Sequence, residues 1–522
     1  LTGNGLYREE VLEQDKLAIT SYLHNRGYPN AAVDITIRES EKTNRILVDI
    51  TAEKGKRYAF KGVSLEGNTL FSDSVVRSTL GLYKGMWYSP EKIHNGIRAL
   101  TELYGKRGYV DAYASFTPQL DHATSSYLVK FTIHEGEQYR VGMIKIFGNT
   151  ATTSRVILHE SLLVPGDVFN IQKMRGTEER LQNIGYFKNV NVYTVKSEDG
   201  DAEPHLRDVN IEVEETGTGS FTFSFGVSTL EKVFGGVGFT ERNFNYKGIP
   251  DLYDEGFSAL RGDGEFLRLN LDVGKKHRSY MLSWAKPYFN DTPWIVGFDV
   301  DKSNSRQRSQ YYDLDSLGFN VHATYPFNAY LKLRLNYRLR DLTVTHLSSA
   351  ASTLLRNEAL NNGVLSAFGT ALMYDSTDSP RKPRKGFRSE LAGEYAGIGG
   401  DFSFVRLGYV NSYYTPLSSR GVLKYRADVH FLTPSGSTTS DTLPLGERLF
   451  LGGETSVRGF RGYAIGPKYS NGDPRGGVTS ALLSMEYAHT LTDRIDGFVF
   501  YDAGDVSLQQ YHISKMKISY GF

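Results

Sequence analysis

The chain has 522 residues, a formal net charge of +1 and no cysteine. This length allows several domains, and the near-neutral charge gives no broad electrostatic basis for binding nucleic acid or an anionic membrane face. Because cysteine is absent, disulfide bonds and thiolate metal sites are both excluded.

Glycine and aromatic residues are abundant, with 53 Gly, 34 Tyr and 29 Phe in a mildly hydrophilic chain. This combination is typical of a sheet with one apolar face and one polar face. No run of about 18 apolar residues occurs, which excludes a transmembrane helix. A membrane barrel is not excluded, because barrel strands alternate in polarity and give a weak hydropathy signal.

The first 216 residues contain a repeat. A Gly-Tyr pair begins at Gly27, Gly108 and Gly185, at intervals of 81 and 77 residues. A Gly-Asn-Thr motif begins at Gly67 and again at Gly148. Such a period is too long for common solenoid units and predicts small α+β modules in series.

One complete module can be followed along the sequence. Its second helix is predicted to begin with Ser89 as the N-terminal cap and Pro90 in the first turn, and to end at Gly108. The predicted order is β-α-α-β-β, with elements at Phe60–Leu65, Ser72–Leu80, Ser89–Gly108, Ala112–Leu120 and Ser126–His134. The first module starts inside its second helix region, near Leu6. We therefore expect the chain to be cut from a longer parent with at least one further half module.

The pattern changes at Thr216, where helical spacing stops and alternation begins. Strands near ten residues, with one apolar face and aromatic ends, are typical of a transmembrane β-barrel. A water-soluble sandwich is the alternative. Fourteen candidate strands follow: Ser220–Val227, Val233–Arg242, Leu267–Gly274, Ser279–Ala285, Trp294–Asp301, Gly318–Tyr325, Tyr330–Arg340, Leu365–Tyr374, Phe387–Tyr395, Phe402–Tyr414, Val422–Phe431, Thr479–His489, Asp496–Tyr501 and Ile513–Phe522.

The repeat resembles POTRA domains, the polypeptide-transport-associated modules of outer-membrane assembly proteins; a generic α+β scaffold is the alternative. Six motifs in the strand-rich half resemble those of the BamA family: Glu241–Phe244, Lys286–Phe289, Asp378–Arg388, Gly452–Phe460, Gly476-Gly477 with Glu486-Tyr487, and Phe500-x-Asp502-x-Gly504. The predicted fold is α+β tandem POTRA modules followed by an all-β transmembrane antiparallel barrel. The predicted domains are a partial module at 1–59, modules at 60–137 and 138–216, and a barrel at 217–522.

The resemblance implies a barrel of 16 strands, whereas about 14 are predicted here. We expect a C-terminally truncated barrel, because an open strand edge in lipid leaves backbone groups unsatisfied. The alternative is that Tyr520-Gly521-Phe522 is a true terminal insertion signal.

The Gly-rich segment Leu451–Phe460 contains a single arginine, Arg458. About 40 residues later, Asp502 falls on a different strand face from Tyr501. Spacing leaves two interpretations open: a loop folded into a barrel and pinned by an ion pair, or a surface hairpin with a solvated arginine. The resemblance favours the pin. It implies that the loop-six residues Val457, Arg458, Gly459 and Phe460 act with Glu486 and Asp502, and that Phe500, Asp502 and Gly504 form the matching strand motif.

No enzyme constellation is recognisable. His134-Glu135 and His159-Glu160 lack the second histidine of a zinc-protease motif. The glycines of Gly235–Gly238 are predicted to be strand glycines, and Arg261–Asp263 a strand-end turn. We therefore predict no catalytic residue, no metal site and no cofactor.

The resemblance implies a role in outer-membrane β-barrel assembly, with the barrel in the outer membrane and the modules in the periplasm. The implied partners are unfolded outer-membrane proteins, assembly-machinery lipoproteins, periplasmic chaperones, and the bilayer with its lipopolysaccharide. Client strands would add to module edges and to the first barrel strand. Candidate edge residues are Val33, Ile35, Tyr113, Ser115, Val190 and Val192; candidate first-strand residues are Ser220, Phe221, Thr222, Phe223, Ser224 and Phe225.

Two alternatives remain. One is a related translocator, either the autotransporter-assembly factor TamA or a two-partner secretion pore, which differ in the number of POTRA modules. The other is a passive porin-like barrel, which would conduct ions steadily and contact no clients.

Overall fold

A computed structural model describes residues 8–40, 45–197, 205–228, 232–492 and 494–522. The described residues form two compact units. One unit holds the α/β modules up to Thr216, except for Ala151–His159; the other holds the chain from Gly217 onward together with Ala151–His159. No helix in these described ranges has the length and apolar character needed to cross a bilayer.

The α/β part of the chain contains three modules in series, and one of their helices, Ser154–Glu160, lies almost entirely in the segment that groups with the second unit. The predicted start of the first module, near Leu6, lies outside the described residues. The helices and strands are α1 (Glu9–His24), β1 (Ala32–Ser40), β2 (Arg45–Glu53), β3 (Ala59–Glu66), α2 (Asp73–Leu80), α3 (Pro90–Gly105), β4 (Tyr113–Asp121), β5 (Ser126–His134), β6 (Arg140–Phe147), α4 (Ser154–Glu160), α5 (Ile171–Asn183), β7 (Phe187–Lys196) and β8 (Leu206–Glu215).

The second and third modules share one sheet topology. Their strand orders are β3-β5-β4 and β6-β8-β7, with the first two strands parallel and the last two antiparallel. The predicted β-α-α-β-β order is therefore confirmed. In the second module, Phe60, Ile93, Leu100, Tyr104 and Phe131 form a buried core between the sheet and its helices. Ile93, Leu100 and Tyr104 recur at helical spacing, so they share the face of their helix that packs on the strands.

The N-terminal cap of α3 and the glycine that closes its C-terminus are both as predicted. The Ser89 hydroxyl accepts a hydrogen bond from the Lys92 N–H at 3.2 Å. The helix ends at Gly105, and Gly108 lies in the following turn at φ +89°. A Cβ at Gly108 would lie 2.8 Å from the Tyr139 carbonyl oxygen. The Gly108 N–H donates to the Gly105 carbonyl and the Tyr109 N–H to the Tyr104 carbonyl, which are the two bonds of a Schellman motif, so Gly108 closes the C-terminus of the helix.

The second unit contains a single antiparallel sheet of fourteen strands, as predicted. Consecutive strands pair, so β9 and β22 are the two edges, and no pairing joins these edges within the described residues. The strands are β9 (Gly219–Ser228), β10 (Lys232–Phe244), β11 (Glu265–Gly274), β12 (His277–Lys286), β13 (Ile295–Ser305), β14 (Asp313–Pro326), β15 (Leu331–Thr345), β16 (Gly363–Asp375), β17 (Gly386–Gly400), β18 (Phe404–Pro416), β19 (Gly421–Pro434), β20 (Thr479–Thr492), β21 (Ile495–Ser507) and β22 (Lys517–Gly521). Short helices α6 (Leu252–Glu255) and α7 (Thr353–Glu358) lie in connections.

Strand ends differ from prediction by four residues or more in six places: the ends of β13, β15, β17 and β21 and the starts of β14 and β22. β21 continues past the predicted end at Tyr501 to Ser507, and β22 begins at Lys517, later than the predicted Ile513. From Asp502 to Val506 every residue of β21 is buried, so the polar-to-apolar alternation that marks a half-exposed strand is lost there. Sequence periodicity therefore fails where a strand is covered on both faces.

The two faces of the sheet differ in polarity. Along β11, Leu269, Leu271 and Val273 alternate with Arg268 and with other polar residues. Strand side chains alternate between faces, so the leucines share one face and the charged residues the other. We call the apolar side the outer face and the polar side the inner face.

Candidate functional site

The connection between β19 and β20, residues 435–478, folds against the inner face; we call it the inner loop. Its tip carries the predicted loop-six motif. Val457 is fully buried and packs with Ile465, Leu482 and Val506, which belong to the loop, β20 and β21. The tip is therefore seated on the sheet by an apolar contact before any charge is considered.

Arg458 lies beside this contact and is held by two carboxylates. Its Nε and Nη2 donate to the two carboxylate oxygens of Asp502, each at 2.8 Å. Its backbone N–H donates to Asp502 Oδ2 at 3.0 Å. Its Nη1 donates to Glu486 Oε2. A planar guanidinium matches a carboxylate in this two-point geometry, which makes the pair directional as well as charged.

The register of β20 and β21 explains why these partners meet. Ser484 faces Asp502 and Glu486 faces Phe500, as successive cross-strand pairs on the inner face. The Ser484 hydroxyl donates to Asp502 Oδ1 at 2.7 Å. The Phe500 ring centre lies 4.0 Å from the guanidinium carbon of Arg458, within the range of a cation–π contact. Ser484 and Glu486 on β20 and Phe500 and Asp502 on β21 therefore all face Arg458, because residues two apart on a strand point to the same side of the sheet.

The strand motif has a separate role for each residue. Phe500 stacks on the guanidinium, and Asp502 accepts its hydrogen bonds. A Cβ at Gly504 would lie only 2.6 Å from Val457 Cγ2, so a larger residue there would push the loop tip away. Gly459 has φ +82°, which glycine adopts most easily. Phe460 is partly buried against the apolar contact.

Burial makes this arrangement sensitive to loss of the arginine. The Asp502 side chain is fully buried, whereas those of Arg458 and Glu486 are largely buried. Removing one partner of a buried pair leaves an uncompensated charge, at a cost of about 3–5 kcal/mol. The arrangement contains no bond-making chemistry, and it can hold the inner loop in one position.

Two further ion clusters bind the inner loop, and the sequence interpretation missed both. Glu447 accepts from Arg338 Nη1 at 2.9 Å and from Arg406 Nη2 at 2.6 Å, so it bridges β15 and β18. Arg448 donates to Glu358 at the end of α7 at 2.6 Å. The available signal was a set of arginines at inner-face positions of apolar strands, whose partners could not be identified from spacing.

The other predicted site residues lie elsewhere. Ser220, Thr222 and Ser224 are on the inner face of β9, and Phe221, Phe223 and Phe225 are exposed on its outer face. β9 is hydrogen-bonded only to β10 in the described sheet. The module candidates also lie on strands at sheet edges: Val33 and Ile35 on β1, Tyr113 and Ser115 on β4, and Val190 and Val192 on β7. Val33, Val190 and Val192 point into module cores, whereas Tyr113 is exposed.

The fold and this site define a class of protein. Its members combine repeated α/β modules with a membrane β-barrel whose inner face is contacted by a long loop. The model of the Omp85 superfamily domain matches residues 260–522, half of the chain. A POTRA model, described as a surface antigen variable number repeat, matches residues 1–55, 58–136 and 139–216. The chain belongs to the Omp85 superfamily. The sheet therefore lies in an outer membrane and the modules lie in the periplasm, as predicted.

Among curated relatives, the outer membrane protein assembly factor BamA of Nitratidesulfovibrio vulgaris is 26% identical over 93% of this chain and 59% of its own length. The BamA of Neisseria meningitidis serogroup B is 24% identical over 97% of this chain and 64% of its own length. This chain thus spans about three fifths of these relatives. The crystal structure of Haemophilus ducreyi BamA lacking POTRA domains 1–3 has the same fold, with a TM-score of 0.68, 18% identity and coverage of 86% of this chain and 87% of that one.

Proposed function

We propose that this protein assembles other β-barrel proteins into the outer membrane, with the edge strand β9 pairing with a strand of the client. The observation that carries the proposal is that β9 is the first strand of the sheet and, among the described strands, is hydrogen-bonded to β10 alone. An unpaired strand edge is a template for another strand. The relatives are named outer membrane protein assembly factors, which supports this choice of client.

The modules offer the same chemistry in the periplasm. β4 and β7 are sheet edges, so an extended client segment can add to them through backbone hydrogen bonds. The exposed ring of Tyr113 on β4 adds apolar contact area. In this proposal the modules receive unfolded clients, with chaperones and assembly lipoproteins as further partners, and the bilayer with its lipopolysaccharide as the medium of insertion.

The inner loop has a structural part in this function. Arg458, Glu486 and Asp502 hold the loop on β20 and β21, so the wall stays ordered while β9 exchanges partners. Strand pairing and burial of apolar surface provide the driving force. The role involves no catalytic residue, metal or cofactor.

Site-specific photocrosslinking in living cells tests the proposal. A crosslinking residue at Ser224 reports on β9, and Ser283 is its matched control, because it also faces inward but lies on β12, which has neighbours on both sides. Tyr113 on the edge strand β4 has a control in Tyr127 on the central strand β5. We expect nascent outer-membrane proteins at Ser224 and Tyr113 and few at the controls.

The other outcomes identify the alternatives. Secreted proteins trapped at inner-face positions would indicate a translocator. Equal crosslinking at edge and control positions would remove the role of strand pairing. No client at either edge would leave a passive barrel and refute the proposal.

A further inference from the structure

One connection at the module end of the sheet is unusually long. The module end is where β9 begins, and the pairing of Gly219 with Glu241 puts the end of β10 there as well. Residues 245–264 join β10 to β11 at this end; we call them the rim loop. The other connections at the same end contain ten residues or fewer.

The rim loop is compact and closed at its base. The Asn245 N–H donates to the Leu260 carbonyl at 2.9 Å. A Cβ at Gly248 would lie 1.8 Å from the Ala259 carbonyl oxygen, so the two halves of the loop touch through their backbones. Helical turns at Tyr246–Gly248, Leu252–Glu255 and Gly256–Leu260 account for most of its length. The loop therefore presents its exposed side chains from a defined scaffold.

The base of the loop lies against the outer face. Trp284 is on that face, opposite Leu267 of β11. The Tyr246 ring meets the Trp284 ring edge-on, with centres 6.3 Å apart. Glu265, which is fully buried, accepts from the Trp284 Nε1 at 2.9 Å and from the Tyr246 N–H at 3.1 Å. These contacts direct the rim loop to the lipid side of the sheet.

The middle of the loop exposes large apolar side chains. Tyr253 is 97% exposed and Phe257 is 80% exposed, and Ile249 and Leu252 are exposed beside them. Such a cluster marks an interaction surface, because a soluble loop rarely leaves contiguous apolar groups in water.

The outer face at the module end is already aromatic. The aromatic residues at this end of the strands are Trp284, Trp294, Tyr325, Tyr374, Phe387 and Tyr413. Aromatic girdles of membrane barrels lie at the level of the lipid headgroups. Tyr253 and Phe257 belong to the loop whose base contacts this surface through Tyr246 and Trp284.

We propose that the rim loop is an interfacial membrane anchor, which inserts Ile249, Leu252, Tyr253 and Phe257 into the headgroup region of the periplasmic leaflet beside the edge strand. The occupant is lipid, because the loop that exposes these side chains packs at its base, through Tyr246, on Trp284 of the lipid-facing side of the sheet. The loop also carries three exposed carboxylates, at Asp251, Asp254 and Glu255. Its binding is therefore driven by apolar and aromatic contact and gains nothing from anionic lipids.

Depth measurements on the full chain test the anchor, and the absence of native cysteine allows clean labelling. Single variants Tyr253→Cys and Phe257→Cys carry an environment-sensitive fluorophore, and the protein is folded into phosphatidylcholine vesicles with doxyl-labelled lipid. Leu269→Cys on the outer face is the lipid benchmark, and Tyr83→Cys, an exposed tyrosine of the second module, is the aqueous benchmark.

We expect quenching at positions 253 and 257 to approach that at 269 and to exceed that at 83 by about threefold, with shallow quenchers more effective than deep ones. Adding phosphatidylglycerol should leave the quenching unchanged. Quenching no stronger than at position 83 would overturn the proposal. Only the folded fraction, identified by its heat-modifiable gel mobility, is compared.

A second experiment separates lipid from a protein occupant. A photocrosslinking residue at Tyr253 in living cells should give lipid adducts, and a specific protein adduct as the main product would refute the anchor. The anchor depends on the outer-membrane location of the sheet and not on the proposed assembly activity. Loss of client crosslinks at Ser224 would therefore leave the depth result intact, and the reverse also holds.

Discussion

Strands β21 and β9 belong to one sheet but are held in opposite ways. β21 is paired on both sides, and the inner loop covers its inner face through Arg458 and Val457. Within the described residues β9 is paired with β10 alone, and its phenylalanines are exposed. In the described part of the chain, one sheet thus combines strands that are held by buried charge with a strand at the sheet edge, for which we propose client pairing. Four changes test this contrast, from the largest expected loss of folding stability to the smallest.

Replacing Arg458 with Ala should have the largest effect. It leaves Asp502 buried without a cation, and we expect a loss of about 3–5 kcal/mol in the free energy of unfolding. Urea titration of the heat-modifiable folded band measures this loss. Arg388→Ala is the control, because Arg388 pairs with Asp375 at 2.8 Å with both side chains well exposed, and such a pair contributes about 0–1 kcal/mol. Equal losses of unfolding free energy in the two variants would contradict the proposal that Arg458 holds the inner loop on the sheet.

Gly504→Ala tests the apolar seat of the loop. The new methyl group would collide with Val457, and overpacking of this kind costs about 1–3 kcal/mol. Gly393→Ala is the matched strand-glycine control, because its Cβ would lie 3.6 Å from Leu407, an ordinary contact. We expect that control to change the free energy of unfolding by less than about 0.5 kcal/mol. If Gly504→Ala changes the free energy of unfolding no more than the control does, the contact of Val457 with Gly504 does not hold the loop on the sheet.

Proline in β9 should cost little stability but block client pairing. Phe223→Pro and Ser224→Pro form a pair, because N–H groups of adjacent strand residues point to opposite sides. One proline removes a donor to β10, and the other removes a donor to the free edge. We expect the proline that removes the free-edge donor to lower the free energy of unfolding by less than about 1 kcal/mol, yet to abolish client crosslinking and insertion. Unchanged insertion in both variants would show that clients do not pair with β9.

The second module shows the same contrast between an edge strand and a fixed region. β4 is at the edge of its sheet, and the Glu135 carboxylate holds the turn at Thr69 and Leu70. The Glu135 carboxylate accepts from the N–H groups of Thr69 and Leu70 at 2.7 and 2.9 Å and from the Tyr104 hydroxyl at 2.8 Å. Burial alone would raise the pKa of Glu135, but hydrogen bonds from Leu70, Thr69 and Tyr104 outweigh it and hold that pKa below its ordinary value of 4.5.

This sets the direction of a pH effect. A depressed folded-state pKa gives stability that is complete above the unfolded value, 4.5, and is lost as pH falls through the folded value. We expect amide hydrogen exchange at Thr69 and Leu70 to accelerate below pH 4.5, after correction for the intrinsic pH dependence. In Glu135→Gln the exchange should be fast already at pH 7 and should lose this added dependence. If amide exchange at Thr69 and Leu70 depends on pH in the same way in both proteins, Glu135 does not stabilise this turn.

Most of the strand pattern could be predicted from the sequence, whereas the partners of the inner loop could not. The alternation in β11 follows from a side-chain period of two on a sheet with one apolar face. Asp502 was recognisable by its phase, and Glu486 by its place in a family motif. Ser484 and Glu447 had no such signal, because a serine or a loop glutamate becomes a partner only when register and loop path bring it to an arginine.

The rim loop is a second feature that the sequence could not predict. Its residues read as a strand-end connection, and the tripeptide Arg261–Asp263 does lie at a strand end, before β11. Nothing in the local pattern distinguishes an exposed Tyr253 from a buried one. The tertiary structure supplies that exposure, together with the contact of Tyr246 with Trp284, which fixes the side of the sheet on which the base of the loop lies.

The sequence by itself determined the modules, the order of their elements and the number and phase of the fourteen strands, because these depend on local periodicity, caps and turns. The tertiary structure decided which charges meet. Arg458 and Asp502 are 44 positions apart, and Arg338 and Glu447 are 109 apart. Such contacts form only after the sheet has set its register and the inner loop has entered it, since hydrogen bonds and buried charges act over a few ångströms and carry no signature along the chain.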